Sequence, residues 1–295
     1  MIEFACHSWA FSDLTLQEAL GTIARLGFRY ADIGSGTHLN AVKAAADPRR
    51  VAAEIVGDLR VYNLKLSDVY LMLPRISSPE TDKRQREIDV FKAMLPFIQL
   101  IGAPGITLSP GLAHQPKPIP ADLTDEQRAE AEIDAAAEAE AAYARTRDAL
   151  ADMVEAAKGE FEISIEPHLD SMAQDLRVAK RLVDDVNGLK LTLDWAHPVC
   201  QNIKHEDIVS LLPYVRHVQM RQAARNMLQT TFKRGRIKVE QVMGALNEAH
   251  YAGVVCVEYM KTPGWHGMME VNTLVESVTM RDALRDARDG ESSRT

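Results

Sequence analysis

Three acidic residues and one glutamine occupy matching places in four short apolar segments. Glu166 closes FEISIEP, Asp194 closes LKLTLDW, Gln219 lies within RHVQMR, and Glu258 closes GVVCVEYM up to its last two residues. Each segment reads as a β-strand. Taken singly, a Glu or Asp at a strand end is most simply a helix cap or a surface group, and a lone Gln a hydrogen-bonded core amide. Four at successive strand ends are a different matter. Carboxylates crowded together repel one another and resist burial unless paired. A divalent cation removes the difficulty by accepting oxygens from Glu166, Asp194 and Glu258 and the amide oxygen of Gln219. A donor set made of oxygens suits Mn²⁺ or Mg²⁺ best, with Co²⁺ and Zn²⁺ as alternatives.

These residues need a scaffold that brings strand ends together, and the remaining sequence supplies one. Strand patterns fall at 2–8, 30–36, 65–73, 105–111, 161–167, 189–195, 216–221 and 253–260. Helical patterns fall between them, at 14–27, 48–63, 82–101, 124–158, 170–187, 205–215, 237–251 and 269–288. Repeated βα units imply parallel strands joined by helical crossovers. Eight of them predict an α/β fold, a single (β/α)8 TIM barrel over 1–288, followed by a polar, disordered tail at 289–295. No glycine-rich phosphate loop follows any strand, which counts against an open nucleotide-binding sheet. In a barrel the functional groups sit at the carboxyl ends of strands. Neighbouring strands lie ~4.8 Å apart, so the four side chains can converge at the mouth.

The seventh strand is unusual. His217, Gln219 and Arg221 alternate with Val218 and Met220, where a strand buried on both faces should be apolar throughout. With Gln219 as ligand, His217 falls deeper in the barrel and Arg221 at its mouth. A register slipped by two residues would make His217 the ligand instead.

Local signals complete the outline. Asp13 or Thr15 is placed to cap the first helix and Gly27 to close it. Thr124-Asp-Glu-Gln127 reads as a capping box, and Pro96 predicts a kink. The proline-rich segment 111–124 is long enough for a lid over the mouth. A net charge of -8 argues against nucleic-acid binding. The cysteines Cys6, Cys200 and Cys256 form no CxxC pair, so neither disulfides nor a thiolate zinc site is expected. The start lacks a signal-peptide pattern and no run is long enough to span a membrane, so the expected location is the cytoplasm.

The motifs resemble the sugar isomerase/epimerase family built on the xylose isomerase-like TIM barrel, which includes hydroxypyruvate isomerases and ketose 3-epimerases. Family members show a Glu after strand five, Asp-x-x-His after strand six, His-x-His on strand seven and a Glu closing strand eight. Here these read Glu166, Asp194-Trp-Ala-His197, His217-Val-Gln219 and Glu258. The second His is replaced by Gln219, as in the hydroxypyruvate isomerase branch. ALGTIARLGFRYADIG also matches the family's first helix and second strand.

The resemblance implies proton abstraction beside a carbonyl, with Glu166 and Glu258 as the general base and acid, on a small sugar or keto-acid. It implies substrate contacts from His197 and from Arg225 or Arg221, and a homo-oligomer, dimer or tetramer. By position near the mouth, His168 and His7 are further substrate candidates, with Trp9 and Trp265 as walls. Rival readings are a dehydratase or lyase on a cyclic polyol or keto-acid, a zinc endonuclease disfavoured by the acidic balance, and a non-catalytic sugar-binding descendant.

Overall fold

A computed structural model describes residues 1–113 and 123–292 of the chain. Eight parallel strands close on themselves in sequence order. They are β1 (Glu3–His7), β2 (Tyr30–Gly34), β3 (Lys65–Leu71), β4 (Gly105–Leu108), β5 (Glu162–Ile165), β6 (Leu189–Asp194), β7 (Val215–Met220) and β8 (Val254–Val257). β1 pairs with β8 through Glu3↔Val254 to Cys6↔Val257, which completes the ring. The expected (β/α)8 barrel is the observed fold.

The crossover helices are α1 (Leu16–Arg25), α2 (Ala41–Ala46), α3 (Pro48–Val61), α4 (Thr81–Ile101), α5 (Asp125–Ala157), α6 (Leu176–Asp185), α7 (Ala196–Cys200), α8 (His205–Val209), α9 (Val239–Glu248) and α10 (Thr273–Ser292). Thr15 caps α1 in a reciprocal capping box with Glu18. Thr124 does the same for α5 with Gln127. Gly27, at φ 82°, turns the chain out of α1 in the left-handed conformation that glycine adopts without strain. Pro96 lies inside α4, which runs on to Ile101.

Three departures from the sequence reading have physical causes. The helix expected at 170–187 begins only at Leu176, where Asp175 accepts from the Arg177 N–H as N-cap. The residues before it form a loop turned by Asp170 at φ 63°. A short helix after β6, α7, carries His197 and was not anticipated. α10 continues to Ser292, four residues into the segment assigned to the tail, and 293–295 lie outside the described residues. So does 114–122, most of the anticipated lid.

The barrel interior is polar. TIM barrels ordinarily fill it with layers of Val, Ile and Leu. Here Asp32, Asp68, Thr107, Ser164, Thr192 and His217 are all buried, at 2 % exposure or less. Two register shifts add Ser67 and Arg216 to this polar interior. Between β6 and β7 the pairing passes from Leu191↔Val215 to Thr192↔His217, leaving Arg216 as a surplus residue. Between β2 and β3 it passes from Ala31↔Leu66 to Asp32↔Asp68, leaving Ser67 surplus. A bulge of this kind re-aims the side chains around it. Ser67 thus donates to Asp32 at 2.5 Å. Arg216 reaches under the strands to Asp68 at 2.5 Å and to Ser164 at 2.9 Å. His217 Nε2 meets Asp32 Oδ2 at 2.7 Å.

Burial alone would raise the Asp32 carboxyl, but the His217 ring outweighs it and holds the group at about 2. An ordinary aspartate titrates near ~3.9, so the folded state favours ionised Asp32. That stabilisation is present above about pH 4 and is lost as the pH falls toward about 2. Asp32→Asn should cost about 3 kcal/mol at pH 7, the usual cost of breaking a buried pair. Urea melts should show the gap between wild type and variant shrinking at pH 3. A gap independent of pH would separate Asp32 from acid stability.

Candidate active site

The four residues singled out at strand ends come together at the carboxyl end of the barrel. Asp194 is the last residue of β6 and pairs directly with Gln219 of β7. Glu166 and Glu258 each stand one residue past their strands, tied by backbone bonds to Leu108 and Met220. All four are buried, at 5 % exposure or less.

Hydrogen bonding divides them. Glu166 is well supported: Tyr70 donates to its Oε2 at 2.7 Å, and His197 Nε2 lies 3.4 Å from its Oε1. Burial works against its charge, but His197, His168 and Tyr70 prevail and hold the carboxyl at about 2. Asp194 Oδ2, Glu258 Oε2 and the Gln219 amide oxygen are buried and accept no hydrogen bond. Burial raises the carboxyls of Asp194 and Glu258, the latter strongly. Arg221 opposes both shifts, while the neighbouring carboxylates reinforce them.

His197 sits among these groups, 3.5 Å from Asp194 Oδ2. Its Nδ1 accepts the Leu169 backbone N–H at 3.0 Å. Its Nε2 faces the carboxylates and lies 3.2 Å from Arg221 Nη2. Glu166, Asp194 and His197 hold ligand-type atoms within 4.8 Å of one another. A second such group, Asp32, His217 and Cys256, lies deeper, where the His217–Asp32 ion pair engages it.

The other candidates separate clearly. Arg221 is 1 % exposed, with its guanidinium between Asp194 and Glu258. Arg225 lies exposed in a turn closed by the Ala224–Met227 bridge, apart from the buried carboxylates. His168 has both ring nitrogens engaged, at 2.9 Å from Ser109 Oγ and 2.7 Å from the Leu169 carbonyl. It braces the loop and has no donor left for a substrate. His7 accepts from the Trp9 N–H through Nδ1, and its buried Nε2 has no partner. Burial lowers this imidazole to about 4, so it is neutral near pH 7 and offers an N–H. Its ring packs 4.3 Å from Trp9, which packs 5.0 Å from Tyr70. Gly34 makes room for Trp9: a Cβ there would collide with the indole.

Two contributors escaped the sequence reading. Tyr70 alternates with Asp68 on β3 as Gln219 does with His217 on β7, a signal hidden because KLSDVYLML reads as apolar at its end. Asp170 gathers three loops. Its carbonyl accepts from Ala113 at 2.6 Å after β4. Its carboxylate accepts from His266 at 2.7 Å and from the Trp265 indole at 3.3 Å after β8. Trp265 thereby lies over the site, 6.2 Å from the His197 ring and still 39 % exposed.

A family model described as a xylose isomerase-like TIM barrel matches residues 20–278. The chain belongs to that family. No curated protein matches it significantly. Solved structures share the xylose isomerase-like fold at low identity. D-psicose 3-epimerase from Clostridium cellulolyticum H10, solved with D-tagatose, is 16% identical, with a TM-score of 0.71 over 97% of this chain and 99% of that one. The IolI protein, solved with a bound zinc atom, is 14% identical, with a TM-score of 0.73 over 98% and 99%. The probable 3-DHS dehydratase AsbF of Bacillus anthracis, involved in petrobactin synthesis, is 12% identical, with a TM-score of 0.68 over 96% and 99%. Among the described residues, no helix is long and apolar enough to cross a membrane.

Replacing Asp170 with Ala removes the acceptor that ties the β8 loop down. Amide hydrogen exchange at 264–268 should accelerate about tenfold while global stability changes by about 1 kcal/mol or less, since loops open independently of the core. Unchanged exchange there would show that the loop is held by other contacts.

Proposed function

We propose that this chain is a divalent-metal-dependent isomerase or epimerase that moves a proton beside a carbonyl of a sugar or keto-acid. The observation that carries the reading is the convergence of Asp194 Oδ2, Glu258 Oε2 and Gln219 Oε1, buried and free of hydrogen bonds, beside Glu166. Oxygens taken from water call for compensation; Asp194 Oδ2 and Glu258 Oε2 share a single guanidinium, and Gln219 Oε1 has no partner. Charge supports the same conclusion. Three carboxyl groups face one guanidinium, so a divalent ion bound among them would offset the burial that otherwise disfavours their charge. The residues therefore fit a divalent ion held by Glu166, Asp194, Gln219 and Glu258. His217 is less suited as a ligand, because its Nε2 already bonds Asp32. Oxygen donors favour Mn²⁺ or Mg²⁺.

Such an ion supplies Lewis acidity to a bound carbonyl and its neighbouring hydroxyl, making the adjacent C–H acidic. The chain's own groups do the rest. Glu166 is the carboxylate that His197 and Tyr70 keep ionised, which suits it to take the proton. Glu258 comes from β8, on another side of the site, and burial without a metal pushes its carboxyl up, which suits it to return a proton. Two acids pushed in opposite directions by their surroundings are a recurrent sign of divided acid and base roles. His7 Nε2, a buried donor without an acceptor, suits a substrate oxygen. Return of the proton to the opposite face of the same carbon gives epimerisation; return to the neighbouring carbon gives isomerisation. The AsbF likeness keeps a dehydratase as the second reading, in which the enolate expels a β-hydroxyl. The proposed substrate is a small molecule, and the proposed location is the cytoplasm.

Protein loaded with Mn²⁺ should catalyse deuterium exchange at carbon in a ketose or keto-acid from a panel. Glu258→Gln should lower that exchange by about 10³-fold or more, the scale of a lost acid or base, with its thermal melt intact. Near-normal exchange in the variant would remove Glu258 from the chemistry. Gln219→Ala should weaken Mn²⁺ binding by about tenfold, as the loss of one neutral ligand costs roughly that of a hydrogen bond to a charge. Equal affinity in calorimetric titration would exclude Gln219 as a ligand.

A further inference from the structure

We propose that Arg221 is a built-in counter-cation of this centre, which occupies Asp194 and Glu258 when no metal is bound and yields them when one arrives. The proposal rests on the metal-dependent reading above and assigns a new role at that site. Arg221 leaves β7 two residues beyond Gln219, and its side chain folds back over the carboxylates rather than out to solvent. Nη2 lies 2.8 Å from Asp194 Oδ2, and Nη1 lies 3.1 Å from Glu258 Oε2 and 3.0 Å from the Glu258 carbonyl oxygen.

The quality of these contacts matters more than their number. The two carboxylate oxygens that Arg221 approaches are the same two that accept no hydrogen bond. The guanidinium is therefore within ion-pair distance of both without a well-aligned bidentate bond to either, and Nε has no acceptor. A buried arginine ordinarily meets one carboxylate fork to fork, with two parallel bonds. Arg221 instead divides itself between carboxylates from two different strands. Its hydrogen-bond contacts run to the Glu258 carbonyl oxygen and, at 3.2 Å, to His197 Nε2, and no fork-to-fork pair forms with either carboxylate. The lone pairs of those carboxylates are what a divalent ion needs.

Two cations cannot share these oxygens on equal terms. The divalent ion carries twice the charge and takes the lone pairs directly, whereas the guanidinium hangs on a flexible stem. Displaced from the carboxylates, it would stay at the mouth, where its five donors suit substrate oxygens. In the metal-free chain it would keep the acidic cluster from forcing the barrel end apart.

The test is a Mn²⁺ titration of chelator-treated wild type, Arg221→Gln and Arg221→Lys, followed by the EPR signal of free Mn²⁺ and by thermal melting. Arg221→Gln should bind Mn²⁺ at least about tenfold more tightly than wild type, since a nearby like charge is removed. Arg221→Lys, which keeps the charge, should stay closer to wild type. Metal-free Arg221→Gln should melt below metal-free wild type, and Mn²⁺ should narrow the difference. Equal or weaker Mn²⁺ binding by Arg221→Gln would overturn the proposal while leaving the metal site in place. Binding by neither protein would sink the metal reading itself, and this inference with it. If Arg221→Gln does not fold, crystals of wild type with and without Mn²⁺ decide. Arg221 should leave at least one of the two carboxylates in the loaded form; retention of both beside a bound ion would refute the exchange.

Discussion

Three carboxylates buried around one point repel each other, and the rest of this barrel can be understood as the means of containing that repulsion. Glu166 is kept ionised by donors on two sides, Tyr70 from β3 and His197 from α7. Asp194 and Glu258 have no such donors and share one guanidinium. The cluster thus contains one carboxylate supported by two neighbouring donors and two that share a guanidinium. In the proposed reaction that inequality, rather than the presence of acids as such, would set the direction of proton movement.

Beneath the cluster lies a second set of buried charges, and it is satisfied internally. Asp32 faces His217, and Asp68 faces Arg216. Both pairs depend on residues made surplus by a bulge or adjacent to one. The barrel floor is accordingly a hydrogen-bonded platform in place of an apolar plug. Such a platform is costly if any member is lost, because the remaining charge is stranded. It also fixes the inward aim of β7, the strand that carries His217, Gln219 and the root of Arg221.

The fold was legible in the sequence because parallel barrels impose a strict alternation of strand and helix, and the eightfold pattern survived in the apolar runs. The meeting of Glu166, Asp194, Gln219 and Glu258 followed from the same topology, since strand ends in a closed barrel have nowhere else to go. What the sequence hid was of two kinds. Tyr70 and Asp32 act from strands where parity is broken or disguised, so counting by twos does not reveal them. Arg221 and Arg225 have the same side chain four residues apart, and spacing cannot say which of them folds inward. Arg221 does because it continues the inward row of β7, while Arg225 has passed into an exposed turn. The loop before α6 was hidden for a further reason: its left-handed Asp170 breaks a run that otherwise scans as helical.

That loop has a consequence of its own. Leu169 lends its N–H to His197 Nδ1 and so anchors the ring with Nε2 toward the carboxylates. Its neighbour Asp170 clasps Trp265 and His266, which lie across the opening. One peptide unit therefore separates the fastening of the β8 loop from the anchoring of the imidazole, so a strain felt at either contact is shared with the other.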